Sequence, residues 1–174
     1  MTVHRIATTL AIAAAAFASI ATSAPADLRW RLVDTADFAP TEITSGPATS
    51  FGITAEARGP RNGHEGGTVD VFLELSSESL EGASITLVMF PESDPSQREE
   101  QQLTITGGPI AASFFLQAWE SCVAGPCFED FRLEVSNATP NTTVTLGGQV
   151  RAELIGRDEN PEPDSEVLVE ITPL

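Results

Sequence analysis

The chain has 174 residues, 41% of them hydrophobic and 20% charged, and its 25 Asp and Glu against nine basic residues give a formal net charge of −16. Those proportions describe a foldable single domain rather than a disordered chain. All nine basic residues are Arg, and a surplus of this sign repels phosphate backbones and anionic headgroups, so the expected partner is a protein or another cationic surface and not nucleic acid.

His4 and Arg5 form a short basic start, Ile6 to Ile20 is an Ala-rich apolar run too short for a comfortable membrane span, and Ala24-Pro25-Ala26 offers the small residues of a cleavage site. Residues 1–26 read as a secretory signal peptide. Cleavage after Ala26 is preferred, because cleavage after Ala24 puts Pro25 just beyond the scissile bond. Residues 27–174 are then expected to form one domain, secreted or periplasmic, since no later stretch approaches the roughly 20 apolar residues of a bilayer crossing.

Period-two alternation runs through the rest of the chain. Leu28, Trp30 and Leu32 mark a first strand, and Ala36 to Ser50, rich in Pro, Thr and Ser, reads as a loop. Phe51, Ile53, Ala55 and Ala57 alternate with Thr54, Glu56 and Arg58, and Gly59 to Gly67 reads as a second loop. The cleanest case is Thr68 to Ser76, where Val69, Val71, Leu73 and Leu75 share a face opposite Asp70, Glu74 and Ser76. Ser84 to Phe90 and Ala112 to Trp119 are apolar on both faces, which fits central strands covered on each side; between them come the loop Pro91 to Glu100 and a short strand at Leu103 and Ile105. Phe131, Leu133 and Val135 alternate with Arg132, Glu134 and Ser136.

Further on, Val144, Leu146, Val150, Ala152 and Leu154 all fall on even positions, so the phase survives Gly147-Gly148. Thr142 to Arg157 is therefore expected to be one long strand bent or bulged at the glycine pair, with a hairpin as the alternative. After the Pro- and Asp-rich segment Asp158 to Ser165, Val167, Val169 and Ile171 make the last strand. Eight or nine strands without an amphipathic helix predict an all-β antiparallel β-sandwich, Ig-like or jelly-roll-like.

Cys122 and Cys127 flank Val-Ala-Gly-Pro, and an oxidising compartment favours a disulfide across that turn. A redox pair normally uses a two-residue spacer, and no further Cys or His lies nearby to complete a metal site.

Candidate chemistry is sparse. His64 lies in a Gly-rich loop with neither a nucleophile elbow nor a second His in ligand spacing, so a solvated loop residue outweighs a binding role. Asp158, Glu159 and Asp164 form the densest oxygen cluster and are the candidate calcium ligands, although the order of a defined calcium loop is missing. Trp119 is a candidate ligand platform, with a core anchor beside the cysteines as the stronger reading. With no Tyr, and with Phe residues that mostly alternate inward, a sugar-stacking platform is not expected. Asn137-Ala-Thr139 and Asn141-Thr-Thr143 match the glycosylation acceptor pattern. Carboxylates are too numerous to single out a catalytic pair. The expected protein is a non-catalytic binding or structural accessory module without a cofactor; the alternative is a secreted carboxylate-dependent hydrolase, calcium-stabilised.

Overall fold

The computed structural model describes residues 29–58, 64–78, 82–119, 126–157 and 165–174. Among these are nine strands and no helix: β1 (Arg29–Thr44), β2 (Thr49–Arg58), β3 (His64–Ser77), β4 (Ala83–Pro91), β5 (Glu99–Ile105), β6 (Ile110–Ala118), β7 (Cys127–Asn137), β8 (Thr143–Arg157) and β9 (Glu166–Pro173). Pairing is antiparallel and nested: β1 with β8, β2 with β7, β3 with β6 and β4 with β5. Eight strands thus form one long hairpin. Further pairing of β3 with β8 and of β4 with β7 rolls it into two sheets, ordered β1-β8-β3-β6 and β5-β4-β7-β2-β9. That winding is the jelly roll, a β-sandwich, with β9 added on the free side of β2.

Alternation explains the layers. Val69, Val71, Leu73 and Leu75 of β3 in one sheet and Phe51, Ile53, Ala55 and Ala57 of β2 in the other all point into the core, and all eight are buried. Leu146, Val150, Ala152 and Leu154 of β8 and Phe131, Leu133 and Val135 of β7 complete the middle of it. Among the described residues no helix is long and apolar enough to cross a membrane.

Several expectations change. Ala36 to Thr44 is not loop: β1 continues to Thr44, and Phe38 and Ile43 are buried in the core. β8 is a single strand, but the extra residue sits in its partner. Phe38 pairs with Gly148 and Thr41 with Leu146, so β1 takes three steps where β8 takes two, bulging at Ala39-Pro40. Proline lacks a ladder donor, and β1 is an edge strand where that loss is tolerated. Finally, β6 is an edge rather than a central strand. It buries Phe114 and Leu116 on one face and leaves Phe115 on the other, because a two-layer sandwich covers each sheet once.

Candidate binding face on the four-stranded sheet

The side chains of β3, β6 and β8 that do not enter the core stand on the outer face of the four-stranded sheet, and the register sets their neighbours. Asp70 of β3 lies opposite Phe115 of β6 on one side and Arg151 of β8 on the other. Two residues along β3, Phe72 lies between Ser113 and Gln149. The Phe72 and Phe115 rings meet edge to face with centroids 6.1 Å apart, yet remain 40% and 62% exposed. Edge-to-face contact is a favoured aromatic geometry, and two exposed rings on one strand pair form a continuous apolar spot rather than scattered surface residues.

Beside the rings lie two buried carboxylates. Glu153, on β8, receives Arg31 Nε at 2.8 Å and Arg151 Nη2 at 2.5 Å. Two guanidiniums on one carboxylate satisfy its burial; removal of both would leave its charge uncompensated in a poorly solvated place. Asp70, also buried, makes no ion pair with a described residue. Its burial raises the carboxyl above the usual aspartate range and Glu153 pushes the same way, while a hydrogen bond from Thr68 and the charge of Arg151 oppose the rise. One carboxylate of the pair thus has two guanidinium partners, and the other is desolvated with no ion-pair partner among the described residues.

Elsewhere among the described side chains the guanidiniums are already paired. Arg58 pairs with Glu56 and Glu166, Arg98 with Glu100, and Arg132 with Glu92. A polar pocket of about 500 Å³ at the far end of this sheet is lined by Glu42, Ser77, Glu78 and Thr142, without an aromatic group to drive binding. A shallow opening of about 360 Å³ between the two sheets touches Phe115 from the other side, with Arg98, Leu116 and Phe131 around it.

The residues singled out in the sequence do not gather here. Trp119 is buried, 1% exposed, with its indole against Gly67, where an added Cβ would lie 2.7 Å from the ring. It turns out of β6 with a φ of 58°, and its backbone N–H reaches Glu129 Oε1 at 3.2 Å. Its indole Nε1 finds no hydrogen-bond partner among the described residues. This is a core anchor, and it offers no surface to a ligand. His64, expected in the loop Gly59 to Gly67, instead opens β3, with its backbone opposite Gly156. Cys127 opens β7, half-buried, whereas Cys122 and the candidate calcium ligands Asp158, Glu159 and Asp164 lie outside the described residues. Among the described residues no group of three or more His, Cys, Asp or Glu could hold a metal ion.

The reading of Phe as inward-facing holds for Phe38, Phe51, Phe114 and Phe131 and fails for Phe72, Phe115 and Phe128, all exposed. The signal was present in the alternation itself, since Phe72 shares the parity of Asp70 and Glu74.

No protein-family model matches the chain, and no curated protein matches it. Among solved structures, the Yersinia pseudotuberculosis-derived mitogen matches at 12% identity with a TM-score of 0.32, covering 76% of this chain and 93% of that one. A likeness that faint says nothing about what either chain binds.

Proposed function

We propose that the chain is a secreted or periplasmic, non-catalytic β-sandwich, a binding or structural accessory module that meets its partner through the outer face of the four-stranded sheet. The exposed Phe72–Phe115 pair carries this reading: large rings on paired strands are held rigidly, so little side-chain freedom is lost when a partner covers them. Export belongs to the same reading, as does a Cys122–Cys127 disulfide; it is supported by the absence of a free thiol among the described residues. The test is capture of partners from the exported fraction at near-physiological salt. A Phe72→Ser, Phe115→Ser variant is expected to lose the partner that wild type retains, while Phe128→Ser, on the other sheet, keeps it. Equal capture by all three overturns the reading.

One observation favours a second reading, a carboxylate-dependent hydrolase. Asp70, with its carboxyl shifted upward, stands near Glu153, which pairs with two guanidiniums, and two carboxylates in such unlike surroundings are what acid-base chemistry uses. A screen against generic glycoside and ester substrates separates the two readings, since turnover abolished by Asp70→Asn establishes the hydrolase.

A further inference from the structure

We infer that this face receives an Arg or Lys side chain of a basic partner protein, laid across Phe72 between Asp70 and Glu74; the inference rests on the binding reading above. Same-face residues on a strand stand about 7 Å apart, so the two carboxylates flank the Phe72 ring along β3. A cation above an aromatic face is attracted by the ring quadrupole, and flanking carboxylates within a few ångströms add to that attraction. Arginine suits the place best, being planar and weakly hydrated enough to stack.

Charge selects among occupants. Among the described side chains of this face the two guanidiniums, Arg31 and Arg151, are committed to Glu153. Asp70 and Glu74 have no ion pair with any described residue, and Asp37 accepts only a neutral hydrogen bond from Gln149. An anionic partner would meet those three carboxylates. A second copy of the chain would bring a charge of −16 against −16. An apolar partner would strip water from Glu74 and return no counterion. A cationic side chain alone satisfies rings and carboxylates together, and the acidic surplus of the whole chain speeds its arrival.

The probe is a capped Gly-Arg-Gly-Arg-Gly peptide, whose alternate arginines share one face when extended, titrated into the exported protein and followed by NMR. The controls are the same peptide with citrulline for arginine, and spermine. The arginine peptide is expected to bind at least tenfold more tightly than its citrulline twin, and Phe72→Ser with Phe115→Ser to weaken it by about tenfold. Glu74→Gln weakens it several-fold, and Phe128→Ser leaves it unchanged. Unchanged affinity in the double Phe variant, with its melting temperature intact, overturns the inference, since diffuse acidity then explains binding. Spermine that binds as tightly as the peptide, with the same dependence on Phe72 and Glu74, overturns the assignment to a protein. If the peptide fails to bind while capture from the exported fraction still depends on Phe72 and Phe115, the cationic inference falls and the binding reading stands.

Discussion

The Asp34 carboxylate accepts a hydrogen bond of 2.9 Å from the backbone N–H of Val169, joining the edge strand of one sheet to the edge strand of the other. Asp34 holds an inward position of β1, between Leu32 and Ala36, where alternation favours an apolar side chain. The bond accounts for it: β9 has no neighbour beyond β2, and the outward N–H of Val169 would otherwise be open to pairing with another chain. Gln101 does the same on the opposite side of the sandwich, donating to the Ser113 carbonyl of edge strand β6 at 2.7 Å. Asp34→Ala is expected to cost about 1.5 kcal/mol, read as a lower urea midpoint at unchanged slope, and to increase self-association.

The two adjacent glycines of β8 are predicted to differ sharply. Gly148 has a φ of 137°, and a Cβ there would lie 2.1 Å from the Phe72 carbonyl oxygen on β3; at Gly147 nothing lies within 4 Å. Gly148→Ala should cost about 3 kcal/mol or more, because both the backbone conformation and the spacing of β3 from β8 must change. Gly147→Ala should stay within about 1 kcal/mol of wild type, and thermal melts of the two variants decide the matter.

Acid titration tests Asp70. Its folded carboxyl sits above the usual aspartate value, chiefly because burial disfavours the ionised form. A raised group favours the folded state fully at pH below its unfolded value, and that contribution is lost as pH rises through the folded value. Asp70→Asn should therefore raise the melting temperature by about 2 °C at neutral pH. The advantage should shrink on acidification through the aspartate range. A gain that is the same at neutral and strongly acid pH would mean that ionisation of Asp70 is not its source.

Asn137 and Asn141 are separated by their surroundings. Asn137 is buried at the end of β7; its Nδ2 donates to the Thr142 carbonyl at 3.1 Å, and its Oδ1 accepts from the Thr139 N–H at 3.0 Å. Asn141 is exposed. Asn137→Ala should cost about 3 kcal/mol through orphaned buried groups, measured by denaturant unfolding. In a glycosylating host, peptide mapping of the folded secreted protein should place any glycan on Asn141.

Peptide mapping without reductant is expected to find Cys122 linked to Cys127 in protein taken from the exported fraction. Reduction should then lower stability by about 2 kcal/mol, the loop entropy of so short a closure. Two free thiols would refute both the bond and the export from which it is inferred.

Alternation by itself determined the all-β class, the strands carrying Phe51 to Ala57, Thr68 to Ser76 and Phe131 to Val135, and the unbroken run through Gly147-Gly148. These are local signals: each strand's own residues record which face is buried, whatever lies next to it. The second half of β1 escaped detection because the bulge at Ala39-Pro40 shifts the inward positions from the even Phe38 to the odd Ile43, and a phase that resets looks like a loop. The candidate face escaped for a different reason. Asp70 with Glu153, and Phe72 with Phe115, become neighbours only when β8 and β6 pair on either side of β3, and that pairing is a contest among all nine strands for partners. Which Phe points outward is written in its parity along one strand. Which carboxylate stays buried without a guanidinium depends on strands far apart in the chain, so only the assembled sheet decides it.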